Sequence, residues 1–124
     1  MALNETSDHR FPRSLYRRGT EPDPRFSLAN ERTFLAWIRT SLALLAAGAA
    51  LAALELPIEP GFRVAAAIVF TALGMLAAVQ AWVGWVRTEA SLRDNRALPG
   101  PALGIALVAG IIAAVILLLI GSLL

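Results

Sequence analysis

The side chains whose type and spacing carry chemistry in this sequence are arginines. In the stretch Arg25-Phe26-Ser27-Leu28-Ala29-Asn30-Glu31-Arg32-Thr33-Phe34-Leu35-Ala36-Trp37-Ile38-Arg39-Thr40, Arg32 and Arg39 stand seven positions apart. On one helix about 700° of rotation leaves them about 20° from the same direction, two turns apart. Gln80 and Arg87 repeat the spacing further along the chain. A polar side chain inside a membrane span usually faces protein or water rather than lipid. One reading therefore has Arg32, Arg39, Gln80 and Arg87 lining a positively charged entrance. The other has Arg39 snorkelling to the head groups, with Arg32 paired to Glu31 or to phospholipid. An arginine costs about 2.5–3.5 kcal/mol at a span centre and less near its edge, so energy alone leaves both readings open.

Catalysis has little to work with. His9 is the single histidine and lies in a polar tail, and there is no cysteine for a disulfide, a thiolate metal site or a nucleophile. Glu55 and Glu59 are four apart, but Pro57 between them keeps them off one helix face, and they read as a solvated loop. No phosphate loop, nucleophile elbow or metal-ligand cluster is present in the sequence. The expectation is a protein that is not an enzyme and carries no cofactor or metal.

The elements that position these arginines are apolar. Of the 124 residues 57% are hydrophobic and 16% charged, with mean hydropathy +0.65. Soluble domains carry roughly a quarter charged residues, so this is the composition of a membrane protein in a single domain. All eleven basic residues are arginine, and the net charge is only +2. A nucleic-acid binder needs a soluble basic face, and no nucleic-acid partner is expected.

Residues 1–24 read as a disordered tail broken by Pro12, Gly19, Pro22 and Pro24, with no apolar core of a signal peptide. Arg10, Arg13, Arg17 and Arg18, interleaved with Phe11, Leu15 and Tyr16, form either a patch on anionic head groups or a solvated run. Glu5, Asp8, Glu21 and Asp23 nearly cancel their charge. Ser27 or Asn30 then caps a helix from about Leu28 to Glu55, with Glu31 in its first turn. Its uncharged part, 40–54, is shorter than the roughly 20 residues a span needs. The membrane must therefore begin near Phe34, which places Arg39 about one turn inside it.

Three spans are expected, at about 34–55, 64–86 and 102–123, in an all-α fold. The first two are separated by Glu55-Leu56-Pro57-Ile58-Glu59-Pro60-Gly61 and the last two by Arg96, Pro99, Gly100 and Pro101. Trp82 and Trp85 read as an interfacial belt, and the arginine-rich tail and second loop place the N-terminus inside and the C-terminus outside. The pairs Ala46/Ala50, Gly74/Ala78 and Gly110/Ala114 allow close helix approach. Three short helices enclose little interior, which favours a homo-oligomer.

The core Ala29-Asn30-Glu31-Arg32-Thr33-Phe34-Leu35, followed by Trp37, closely resembles the signature of the YidH-like family of small bacterial inner-membrane proteins. The resemblance covers about residues 25–124 and includes Trp85-Val86-Arg87 and Leu98-Pro99. It implies a three-span domain of unknown function in the bacterial plasma (inner) membrane. The same core is similar to the membrane domain of the eukaryotic vacuolar transporter chaperone complex. There, copies of the domain assemble around a channel for polyphosphate, and basic residues at its cytosolic mouth contact the polyanion. By that resemblance Arg25 and Arg32 match motif positions of this kind, Arg87 follows at the end of the second span, and Glu31 matches the acid beside the motif arginine. Arg39 belongs to the bacterial pattern, and polymerase and phosphate-sensing domains do not appear in the chain.

The resulting expectation is an integral inner-membrane protein, embedded in the lipid bilayer, with a cytoplasm-facing arginine cluster. Arg25, Arg32, Arg39 and Arg87, supported by Asn30, Glu31 and Gln80, bind phosphate-bearing anions or anionic lipid. The alternatives are a homo-oligomeric channel for polyphosphate or another anion, and a structural or regulatory subunit that docks a partner through tail and second loop.

Overall fold

The computed structural model describes residues 9–100 and 102–124. It contains a single turn, α1 (Arg13–Tyr16), and three long helices, α2 (Pro24–Ala53), α3 (Pro60–Arg93) and α4 (Ala102–Leu123). Among the described residues there is no strand. The three long helices are long and apolar enough to cross a membrane. The expected spans 64–86 and 102–123 fall inside α3 and α4, whereas 34–55 runs past the end of α2 at Ala53.

The two longest helices begin with the same device, an acid followed by proline. The Asp23 side chain accepts from the Arg25 N–H, and the Glu59 side chain accepts from the Phe62 N–H. Pro24 and Pro60 then supply the fixed φ of a first helical position, where a missing N–H costs nothing. Neither Ser27 nor Asn30 is the cap: α2 starts a full turn before Leu28. Its 30 residues span about 45 Å at 1.5 Å per residue. At the other end of α3, Asn95 takes a left-handed φ of 55° and the Arg96 N–H returns to the Ser91 carbonyl at 2.9 Å. That is a helix stop of the Schellman kind.

α3 is the centre of the bundle. α2 and α4 both pack on it, and they do not approach one another. The α2 residues turned toward α3 are Asn30, Phe34, Trp37, Ser41, Leu44, Gly48 and Leu51, in steps of four and three. That seam is the one used by helices crossing at a shallow angle. Asn30 lies opposite Trp85, Ser41 opposite Gly74 and Gly48 opposite Ala67. α2 thus advances by eleven and seven residues while α3 retreats by the same steps, an antiparallel register without a slip.

Close approach is built into this seam. The Ser41 hydroxyl donates to the Gly74 carbonyl at 2.7 Å, a buried bond. A methyl group on Gly48 would lie 2.5 Å from Thr71 Oγ1 and 3.1 Å from the Ala67 carbonyl oxygen. On the other side of α3, Gly110 of α4 sits against Leu73, and the Glu59 N–H donates to the Gly121 carbonyl at 3.0 Å. Two of the three small-residue pairs are therefore used within the chain, since Gly74, Gly110 and Ala114 all pack internally. Ala46 and Ala50 are exposed, on the opposite side of α2 from the seam. Arg63, in the first loop's flank, donates to the Leu54 carbonyl at 2.7 Å and closes the end of α2.

The segment before α2 departs from the disordered tail expected over 1–24. Residues 1–8 lie outside the described residues. The part from Phe11 to Asp23 is a strap over the C-terminal end of α3. Leu15 is buried against Trp85 and Ala90, and Phe11 stacks on Trp82, whose ring in turn stacks on Trp85. Arg93, only 4% exposed, is the anchor. Its guanidinium donates to the carbonyls of Arg18 at 2.9 Å and Tyr16 at 2.7 Å and pairs with Glu21 at 3.2 Å. Gly19 has a φ of +53° and lies so close to the Arg93 carbonyl that no Cβ fits. Trp85 is consequently a core residue, not part of an interfacial belt, because the strap covers it.

The seam predicts an asymmetric response to small-to-large changes. Gly48→Val should destabilise the protein by about 1–3 kcal/mol through overpacking, whereas Ala46→Val on the exposed face should stay within about 0.5 kcal/mol. Chemical unfolding in mixed micelles measures both, and equal stabilities would contradict the seam.

Candidate functional site

The arginine-bearing face of α2 follows from the seam. With Asn30, Ser41 and Gly48 turned to α3, the line Arg25, Arg32, Arg39 is turned away, and all three arginines are exposed. Arg25 is engaged with the helix cap: its Nη2 lies 2.8 Å from Asp23 Oδ2, and its Nε donates to both carboxylate oxygens. The hydrogen bond from the Arg25 side chain, then that from its backbone N–H, holds the Asp23 carboxyl below the usual carboxylate range. Among the described residues Arg32 and Arg39 make no ion pair. Glu31 is exposed and does not pair with Arg32. The two guanidiniums thus offer donors in a planar fork that matches phosphate or carboxylate oxygens.

On α3 the line Ala66, Leu73, Gln80, Arg87 steps by seven. Ala66 and Leu73 are buried on the side that α4 covers. From Phe62 opposite Gly121 and Leu73 opposite Gly110, the same register places Gln80 opposite Leu103, in the first turn of α4. Arg87 projects beyond that turn and is exposed. No hydrogen bond or ion pair joins Arg32 or Arg39 to Gln80 or Arg87 among the described residues. The two seven-residue pairs therefore belong to separate helices and do not form one ring of charge within the chain.

Beside Arg32 a cleft of about 350 Å³ opens between α2 and α4, lined by Arg32, Thr33, Ala36, Trp37, Thr40 and Leu107. At its floor Trp37 and Leu107 pack against the buried cluster of Leu44, Leu73 and Ala77. The Thr33 hydroxyl donates to its own helix at the Ala29 carbonyl, 3.2 Å away. Among the described residues no group of three histidines, aspartates or glutamates lies together as a metal site.

Asn30 has a different place from the one expected of it. It is 5% exposed and reaches across to α3, where its Nδ2 donates to the Trp85 carbonyl at 3.0 Å and to Glu89 Oε1 at 3.2 Å. The Ser27 hydroxyl adds a bond to Glu89 Oε2 at 3.2 Å. Asn30 is thus a clamp between helices, its amide turned to α3 and not to the arginine face. Sequence reasoning missed Glu89 and Arg93, both buried. The available signal was the four-residue spacing of Trp85, Glu89 and Arg93, which puts them on one line of α3.

The strap adds two perturbed groups at this end of the bundle. Burial, then the nearby Glu89 carboxylate, raises the Tyr16 phenol above its ordinary value. The hydrogen bond from Arg10 is the largest cause holding the Glu21 carboxyl below the usual range. A depressed carboxylate stabilises the folded form above its unfolded value and loses that contribution as pH falls through the folded one. The Glu21 link of the strap is therefore present at neutral pH and weakens only in acid.

A family model described as a domain of unknown function, DUF202, matches residues 25–91. The matched segment holds nearly all of α2 and α3, with the Asn30–Trp85–Glu89 clamp, and it ends before Arg93 and α4. An uncharacterized protein of Mycobacterium tuberculosis H37Rv is 47% identical over 81 residues, 64% of this chain and 66% of that protein. The match thus spans just under two thirds of the mycobacterial relative's length. Inner membrane protein YidH of Escherichia coli K12 is 44% identical over 84 residues, 67% of this chain and 73% of that protein. No solved structure matches the chain.

The clamp is testable by itself. Removing the amide in Asn30→Ala leaves the Trp85 carbonyl and Glu89 short of a buried donor, which should cost about 1–3 kcal/mol. Glu31→Ala, one residue on and exposed, should be close to neutral. Unfolding free energies that do not separate the two variants would contradict the clamp.

Proposed function

The chain belongs to the DUF202 family and is a multi-pass protein of the bacterial inner membrane, and on that footing we propose that its exposed α2 arginine face binds phosphate-bearing anions or anionic lipid at the cytoplasmic side. One observation carries this reading: Arg32 and Arg39 share an exposed face and make no ion pair among the described residues. A guanidinium inside or at the edge of an apolar span is costly unless an opposite charge or water satisfies it. Arg39 lies sixteen positions into α2, level with the middle of the helix. An anion at this face offsets that cost for both arginines. The cytoplasmic placement rests on the arginines of the strap and of the α3–α4 loop, together with the positive-inside rule. Arg87 stands at the same end of the bundle and adds to the positive potential there, while Arg25 is shared with Asp23. The protein acts in this reading as a binder and not as an enzyme.

A second reading, a homo-oligomeric channel for polyphosphate or another anion, draws on a separate observation. Ala36, Ala43, Ala46 and Ala50 are exposed beside the same arginines. Small side chains let a second helix approach closely, which would set Arg32 and Arg39 between subunits.

Both readings are tested in nanodiscs of neutral phosphatidylcholine titrated with short-chain inorganic polyphosphate. Saturable binding is expected, weakened about tenfold or more, some 1.4 kcal/mol, in Arg32→Ala/Arg39→Ala. Arg13→Ala/Arg17→Ala in the strap should bind like the parent. Equal binding by all three would refute the anion site. For the channel, the native mass in lipid should be a multiple of 13.2 kDa, and a lone chain would exclude a pore between subunits.

A further inference from the structure

The cleft between α2 and α4 has a composition that changes along its length. Arg32 and Thr33 stand at one end. Ala36 and Trp37 form an apolar middle, and Leu107 of α4 lies with Thr40 toward the other end. From Arg32 to Thr40 the cleft runs about 12 Å along α2 at 1.5 Å per residue. Its volume of about 350 Å³ falls in the range of roughly 300–1,000 Å³ typical of small-molecule sites.

The cleft exists because α2 and α4 both pack on α3 without meeting. The two registers place the first turn of α4 opposite Gln80 and Gln80 opposite Leu35. Arg32 therefore lies about one turn beyond the start of α4, where the cleft is open above. Lower down, the cleft wall that carries Trp37 and Leu107 is open on its outer side, toward what is hydrocarbon in a spanning chain. Arg32 makes no ion pair, and the Thr40 hydroxyl makes no hydrogen bond, within the described chain.

We propose that this cleft is a site for one anionic glycerophospholipid, its phosphodiester on Arg32 and one acyl chain laid between Trp37 and Leu107. The inference rests on the reading that the α2 arginine face binds phosphate, and it assigns the ligand of that face. Charge complementarity selects an anion at Arg32. The apolar lining selects against a free anion, which would leave Ala36, Trp37 and Leu107 unfilled. A lipid supplies both chemistries in one molecule, in the order in which the cleft presents them, and reaches it sideways from the bilayer.

Native mass spectrometry of delipidated protein in detergent tests this, with dioleoyl phosphatidylglycerol, dioleoyl phosphatidylcholine and glycerol 3-phosphate as probes. One phosphatidylglycerol per chain is expected, bound at least about tenfold more tightly than phosphatidylcholine, with glycerol 3-phosphate failing to displace it. Arg32→Ala and Ala36→Trp, both at exposed positions, should each weaken it about tenfold. The first removes the phosphate ligand and the second fills the apolar middle. Phosphatidylglycerol held equally by the parent and both variants would overturn the proposal. Weakening by Arg32→Ala but not by Ala36→Trp would also overturn the cleft assignment, yet leave the anion-binding face standing. Binding unchanged by Arg32→Ala here, together with unchanged polyphosphate binding, would remove that face as well.

Discussion

The amide of Asn30, set between the Trp85 carbonyl and the Glu89 carboxylate, fixes how α2 is turned about its own axis. Together with the Ser41–Gly74 bond and the contact of Gly48 with the Ala67 and Thr71 backbone, it leaves α2 one rotational setting. Everything proposed for the arginines depends on that setting. A turn of about 100° per residue means that a slip of one or two positions would carry Arg32 and Arg39 from the exposed face toward α3. In a bilayer there is no hydrophobic drive between helices, so close packing and interhelical hydrogen bonds do this work. The seam contains both.

α3 pays a second role at its C-terminal end. It runs well past the apolar span to Arg93, and that extension gives the strap something to hold. Leu15 and Tyr16 cover Trp85 and lie near Glu89, so the clamp is sealed from above by the chain's own N-terminal segment. Glu89 accepts its hydrogen bonds from neutral donors, Ser27 and Asn30, whereas Arg93 four residues on takes two carbonyls and Glu21. A buried acid and a buried base on one helix line are thus satisfied by different partners. The sparse α4 leaves the cleft beside Arg32 open.

Much of the scaffold was legible in the sequence, because span length and hydropathy act locally. The three spans, the break before Pro57, the continuation of α3 beyond Arg87 and the family likeness of Ala29 to Trp37 could all be read there. The common face of Arg32 and Arg39 also follows from spacing alone. What escaped depends on partners far away in sequence. Asn30 reads equally well as a cap or a clamp, and only Trp85 and Glu89, more than fifty positions on, decide. Asp23-Pro24 carries a local capping signal of its own, which competes with those of Ser27 and Asn30. The strap looked disordered because of Pro12, Gly19 and Pro22, but Arg93 satisfies its carbonyls from some 75 positions away. Trp85 read as an interfacial ring because nothing local reveals that Leu15 covers it. The small-residue pairs marked close approach correctly, but not whether the approaching helix belongs to the same chain.

The most direct test of the account is the rotational setting of α2. The chain has no cysteine, so introduced pairs report without background. Leu44 and Leu73 share a buried cluster across the seam, while Arg39 faces away. In membranes, Leu44→Cys/Leu73→Cys should join within one chain through a short thiol cross-linker, and Arg39→Cys/Leu73→Cys, at nearly the same level, should not. Intramolecular joining of the second pair in place of the first would place the arginines against α3 and contradict the account.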